Sequence, residues 1–347
     1  MKIYELHLVP ESNFGTPLKG DTIFGHVCWQ LQRFPDLLGK PLSELLCTYD
    51  SAPFLIVSSV TPLVVEGEQR SFFFRRPPGA RHVKAAKAVE RKAIDERKQQ
   101  KKLIYSVVNE QKNFAPYDDI VWESEETLAN RVIRSLPSNI QSRIEQDAQK
   151  PKLCRPLHHP HNSISRWTGT TGTGQLAPYA TEEFSYLPGL QLGLFIGLAD
   201  DLPVDGLIKA LAMVGMVGYG RDASTGLGRF RVKSCQPCDL ARLGSKDGNG
   251  RYTLGPCLPL SEQAEPVGFM PFVRFGRHGD TLAVGENPFK NPVLMADEAA
   301  LWRGKKAFDS QRPYLGLAIT GTSFHQETVC QGYSLCIPVE LRKENES

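Results

Sequence analysis

Long hydrophobic runs are missing from this sequence: nothing in its 347 residues approaches the roughly 20 consecutive apolar residues of a membrane-spanning helix. The opening residues Met1-Lys2-Ile3-Tyr4-Glu5-Leu6-His7-Leu8 alternate like a strand and carry no signal-peptide core. A cytoplasmic location without membrane contact is expected. The eight cysteines are scattered, which excludes the dense spacing of a secreted disulfide scaffold. Cys235-Gln236-Pro237-Cys238 is a close pair, but a zinc ribbon needs a second and there is none. A thioredoxin-type pair should open a helix, whereas residues 244–250 read as loop, so two ordinary cysteines at a strand end are the plainer reading. No Lys-Ser or Lys-Thr follows the glycine-rich loop, which excludes a Walker loop. That loop also follows a helical segment, the reverse of a Rossmann fingerprint. Neither ATP nor NAD is expected, and no cofactor or metal.

What is present is concentrated in Gly218-Tyr219-Gly220-Arg221-Asp222-Ala223-Ser224-Thr225-Gly226-Leu227-Gly228-Arg229-Phe230-Arg231-Val232. Glycines let backbone approach another molecule closely, and successive amides in such a turn form a concave anion site. Arg221, Arg229 and Arg231 add planar donors suited to phosphate. The loop therefore reads as a grip on a phosphate backbone, with a tight helix-to-strand connection as the bland alternative. Net charge is only +3, but it is segregated. Residues 75–102 hold eleven Lys or Arg against three acids, and 114–130 hold five acids and no base. Such segregation suggests one face for a polyanion and another for a different partner.

Along the chain, a first strand over Ile3–Val9 leads through a loop to Asp21, a good N-cap. The helix after it carries Ile23, Phe24, Val27, Cys28, Leu31 and Phe34 at helical spacing. Strands are expected over 54–65 and 71–74, a long basic helix over 81–108, and a polar insertion over 111–152 with a helical pattern near 128–133. Residues 156–179 read as loop, and 184–198 as a strand pair around Pro188-Gly189. Helix 204–217, the glycine loop and strand 227–232 follow. Residues 245–255 read as a surface turn, and 269–274, 281–284, 315–319 and 333–339 as strands. Strand, helix and strand pair thus occur twice, the split βαβ or ferredoxin-like arrangement shared by RNA-recognition domains. The expected fold is α+β: tandem ferredoxin-like domains with the glycine-rich loop and an inserted helical segment. The first would span 1–155, with the basic helix and insertion at about 80–150, and the second 156–347.

Four segments carry a family resemblance: residues 15–26 (GTPLKGDTIFGH), residues 161–176 (HNSISRWTGTTGTGQL), the glycine loop, and Asn287-Pro288-Phe289-Lys290-Asn291-Pro292-Val293-Leu294-Met295. In this order the chain resembles the RAMP superfamily of CRISPR proteins, in its Cas5 group, and most closely the capping subunit of type III-A (Csm) complexes. The resemblance runs from Met1 to about Val339. It implies a non-catalytic subunit of an RNA-guided complex that holds the repeat-derived 5′ tag of crRNA. It also implies contact with the large signalling and DNase subunit and with the adjacent backbone RAMP subunit. Where the family often has Gly-Ser after the fourth segment, this chain has Asp297-Glu298-Ala299-Ala300. A type III-B or III-D counterpart stays open.

The candidate RNA-binding residues follow. Helix amides at Asp21–His26 can receive a phosphate, with Lys19 adding charge. Asn162, Ser163, Ser165 and Thr168 offer neutral partners for bases or 2′-hydroxyls. Arg166 would stack or clamp a phosphate, and Trp167 would either support an unstacked base or lie in the core. Gly218, Gly220, Arg221, Ser224, Gly226, Gly228, Arg229 and Arg231 complete the set. A competing reading is a metal-independent crRNA-processing endoribonuclease, which needs a base such as His26 and a nearby cation. A lone His is more often structural. His158, His159 and His161 are a weak metal candidate for want of a full ligand set. A protein-only scaffold is the third reading.

Overall fold

The computed structural model describes residues 1–79, 98–114, 116–146, 150–245, 248–259, 261–305 and 312–342. The chain begins with β1 (Lys2–Pro10) and α1 (Gly20–Arg33). Buried Ile23, Phe24, Val27 and Leu31 form the apolar stripe of α1. Its N-cap is Lys19, in extended backbone, not Asp21, which lies in the first turn. The start is set by packing: a Cβ on Gly20 would sit 2.1 Å from the Val57 carbonyl oxygen. Next come α2 (Leu42–Cys47), β2 (Leu55–Val57), β3 (Thr61–Glu66) and β4 (Gln69–Arg75).

Most of the expected basic helix, residues 81–97 of 81–108, lies outside the described residues. Residues 98–102 are helical, but Leu103–Val108 is a strand, β5, paired with β4. Leu-Ile-Tyr-Ser-Val-Val is rich in β-branched and aromatic side chains, and a waiting strand edge decides in favour of sheet. The insertion contains β6 (Glu123–Ser124), α3 (Glu125–Arg134) and α4 (Ser138–Gln146). The Ser124 hydroxyl accepts from the Thr127 amide at 3.1 Å and caps α3, with acids in its first turn and arginines in its last.

Residues 156–161, expected as loop, belong to β7 (Cys154–His161), paired residue by residue with β8 (Tyr179–Tyr186). Pro156, Pro160 and the histidines hide this strand from propensity. Two bonds between Phe14 and Phe184, at 2.9 and 2.8 Å, tie the hairpin's base to the loop after β1. β9 (Gln191–Leu198) follows but does not pair with β8 as expected; it lies between β1 and β3. Then come α5 (Val204–Val217), β10 (Phe230–Pro237) and β11 (Gly250–Thr253). The last is buried at every residue, where a surface turn was expected. β12 (Ala264–Gly268), β13 (Pro271–Arg274), β14 (Val293–Ala296), β15 (Leu301–Gly304), β16 (Tyr314–Ile319) and β17 (Cys330–Val339) complete the chain. Residues 280–284 form a 3-10 turn rather than the expected strand.

The large sheet runs β10-β1-β9-β3-β4-β5-β6, with β2 also on β9. It takes strands from both sides of residue 155, so the expected domain boundary passes through it. The helices α1 and α5 pack against each other, α5 on β10 and α1 on β2 and β17. β9 is buried on both faces: Leu192, Leu194 and Ile196 alternate with Phe195, whose ring meets Phe72 at 5.0 Å. Phe74, Phe114 and Tyr252 extend this aromatic core to the second sheet. That sheet runs β12-β15-β11-β17-β16. Among the described residues no α-helix follows α5, so the helices of a second ferredoxin-like unit are not seen. The helix that packs on the second sheet is instead α1, which lies against β17. Among the described residues no helix is long and apolar enough to cross a membrane.

Candidate nucleic-acid interface

The glycine loop is closed by its own hydrogen bonds. α5 ends at Gly218 (φ 109°), and the Tyr219 amide donates to the Gly228 carbonyl at 2.9 Å. Gly228 has φ 74°, and a Cβ there would lie 2.0 Å from the Tyr219 carbonyl oxygen, so only glycine fits. Tyr219 is fully buried; its hydroxyl donates to the Pro17 carbonyl at 2.8 Å and accepts from the Lys19 amide at 3.3 Å. The Gly220 amide donates to His26 Nε2 (3.1 Å), Arg221 to Thr16 Oγ1 (3.0 Å), Gly228 to the Asn13 carbonyl (2.7 Å) and Arg229 to Ser12 Oγ (2.8 Å). The amides of Thr225, Gly226 and Leu227 bond within the turn. Most of the expected phosphate cradle is therefore spent, within the turn itself or on Ser12, Asn13, Thr16 and His26.

The loop's side chains divide in the same way. Arg221 donates to the carbonyls of Gly15 and Glu182 and pairs with Asp222 at 3.0 Å, bracing the loop against the β7–β8 hairpin. Ser224 is exposed on the turn. Arg229, Arg231 and Lys233 alternate outward along the edge strand β10, while Phe230 is buried on the opposite face. Arg231 pairs with exposed Glu11 at 3.2 Å. Lys233, which sequence reasoning overlooked, is legible in hindsight from the period-2 run after Gly228.

Lys19 faces inward. Its ammonium binds Asp297 and Glu298, the latter at 2.6 Å, and only 14% of its side chain is exposed. Burial holds the Glu298 carboxyl above its usual range. The acidic pair that stands where the family often has Gly-Ser thus neutralises the very lysine expected at the RNA. Asp21 is likewise engaged, by a two-pronged bond from Arg274 at 2.5 and 2.8 Å.

Asn162, Ser163, Arg166 and Thr168 lie beyond the paired part of the hairpin, roughly 14 Å along the ribbon from Glu182. Ser165 and Thr170 close the tip with a 3.0 Å backbone bond. Trp167 is 98% exposed, which excludes the core alternative. The His161 ring stacks on Tyr179 at 5.1 Å between centroids. His158 and His159 fall on opposite faces of β7, so the three histidines do not converge.

His26 lies on α1 with its ring 4.9 Å from that of Tyr219. Burial pushes its pKa down to about 4. Accepting from the Gly220 amide occupies Nε2 and leaves the proton on Nδ1. A cleft of about 750 Å³ separates α1 and the glycine loop from the segment after β13. Trp29, Arg33, Arg274, His278 and Lys290 line it, with Arg33 held by Asp280 at 2.5 Å. The run Arg274-Phe275-Gly276-Arg277-His278 was its readable signal.

The molecule is a mixed α/β protein of mostly antiparallel sheets, with a basic sheet edge beside a closed glycine loop. No protein-family model matches the sequence, and no curated protein matches it. Solved structures do. A chain of a Csm1–Csm4 cassette crystallised with cA4 is 13% identical, with 99% of this chain and 100% of that one covered at a TM-score of 0.54. The cassette with pppApA gives 14%, the same coverage and 0.52. A Csm3–Csm4 subcomplex of the type III-A CRISPR-Cas interference complex gives 11%, 97% and 99%, and 0.50. The fold is that of Csm4 in these assemblies, shared along the whole chain.

Proposed function

We propose that this chain is a non-catalytic subunit of a type III RNA-guided effector complex. It holds the 5′ tag of crRNA and links the large signalling and DNase subunit to the first backbone subunit. The fold likeness to chains solved with Csm1 and with Csm3 supports the assembly role. The observation that carries the RNA role is the row Arg229, Arg231 and Lys233, exposed on the edge of the large sheet where it leaves the glycine loop. Arg166, Trp167 and the neutral side chains of the hairpin tip would take the splayed bases, with the loop acting as a rigid frame more than as a ligand. Lys19 is assigned to the frame. The order β10-β1-β9-β3 with α1 and α5 is the βαββαβ order of one ferredoxin-like unit assembled from both halves of the chain. In a tandem reading, the second sheet is its partner, without α-helices of its own among the described residues.

The nuclease reading asks His26 to act as a base. Its Nε2 is already an acceptor for the Gly220 amide and its ring is held against Tyr219, which favours a structural part.

The test is binding of a labelled tag oligonucleotide against a scrambled control, followed over salt and checked on a gel for cleavage. Replacing Arg229, Arg231 and Lys233 together by Ala should lower the slope of log K against log salt by about 2, from roughly 0.7 per phosphate on a single strand. An unchanged slope would remove this face from the RNA site, and metal-independent cleavage would return attention to His26.

A further inference from the structure

The ribbon of β13 and β14 is amphipathic in the inverted sense. It continues past β14's partner residues: Arg277 bridges Phe289, and the His278 and Lys290 amides donate across to Pro288 and Gly276, both at 2.8 Å. Burial alternates along 271–278. The inward residues include Phe272, which lies under the cations of Lys19 and Arg274, and buried Met295. The outward residues are Val273 (43% exposed), Phe275 (75%), Leu294 (63%) and Phe289 (71%). Val273 and Leu294 are direct cross-strand partners. A sheet with one wet face normally turns polar residues to water, and a two-stranded ribbon is marginal unless packed. Here the wet face is apolar. At 150–250 Å² for a large apolar side chain, these four expose roughly 450 Å², the size at which a patch is commonly functional.

We infer that the outer face of the β13–β14 ribbon is a docking surface for a protein partner that presents an apolar face with a carboxylate opposite Arg277. Arg277 is the one charge on this face among the described residues, its guanidinium 5.6 Å from the Phe289 centroid. A polyanion needs several cations in reach. Aromatic and aliphatic side chains around one arginine are the composition of a protein interface core. The patch is about half of one side of a standard interface, too little for a self-sufficient dimer of this chain but enough for the centre of a wider heteromeric contact. Phe275 and Arg277 also line the cleft beside α1, so the docked partner would border that cleft.

The inference deepens the reading as a complex subunit and rests on it. The full chain would be co-expressed with its large and first backbone subunits, as wild type, as Phe275→Glu with Leu294→Glu, and as Val121→Glu, an exposed control. Recovery of each subunit, tag-RNA affinity and mass in isolation would be measured. The inference expects the double variant to recover one subunit at least tenfold less, with RNA affinity within twofold and an unchanged melting temperature. Recovery equal to wild type would overturn it while leaving the subunit reading intact. Loss of RNA affinity with assembly preserved would make the occupant a nucleic acid. A wild-type dimer that the double variant dissolves would make it a second copy. Failure of the wild type to recover either subunit would overturn the subunit reading itself, and this inference with it.

Discussion

Replacing Lys19 by Met tests whether the residue is frame or ligand. Its ammonium holds Asp297 and Glu298 in a site where all three side chains are less than a quarter exposed. Removing one partner of a buried ion pair leaves charge uncompensated, at about 3–5 kcal/mol when burial is complete. Partial exposure lowers this to about 2–4 kcal/mol at pH 7. Without the cation, burial and the neighbouring Asp297 hold the Glu298 carboxyl still higher in the folded chain than in the unfolded one. Protonation then stabilises the fold, and this help is lost as pH rises through the folded value. The penalty should therefore shrink between pH 7 and pH 5. Glu298→Gln in the same background should recover part of it. The assay is guanidinium denaturation at both pH values, beside tag-RNA affinity of the folded variant. A loss below about 1 kcal/mol at pH 7 would refute the energetic reasoning. A tenfold loss of RNA affinity with stability intact would show that Lys19 serves the RNA after all.

The remaining expectations concern the same frame. Burial depresses His26 to about 4, so the folded chain keeps it neutral. That contribution is fully present above the unfolded value near 6.5 and fades as pH falls toward 4, by up to about 1.4 kcal/mol per unit. His26→Gln should flatten that slope in pH-dependent denaturation, and an unchanged slope would assign it elsewhere. Gly228→Ala meets both a left-handed φ and the Tyr219 carbonyl, so thermal unfolding should register a loss of more than about 2 kcal/mol. A loss within about 0.5 kcal/mol, the scatter of surface substitutions, would mean that the loop opens freely.

Local signals carried much of this molecule. Helices 20–33 and 204–217 were legible because their apolar residues repeat with the helical period, and the glycine loop because positive φ selects glycine. The basic run on β10 was half legible, since Arg229 and Arg231 were seen and Lys233 was not. Strand existence at 61–66, 69–75 and 330–339 could also be read from composition.

Only the tertiary structure decided who pairs with whom. Residues 103–108 and 154–161 became strands because β4 and β8 offered edges, information that lies outside their own windows. The joining of β1 to β9 and β10, about 185 to 235 residues on, built one sheet from what read as two domains. The same holds at the candidate site. Composition shows that amides and a lysine are available but not whether they are spent. The partners that spend them, Ser12, Asn13, Thr16 and His26 for the loop and Asp297 and Glu298 for Lys19, arrive from some 190 to 280 residues away. A hydrogen-bonding group has a fixed capacity, and which neighbour fills it is settled by packing.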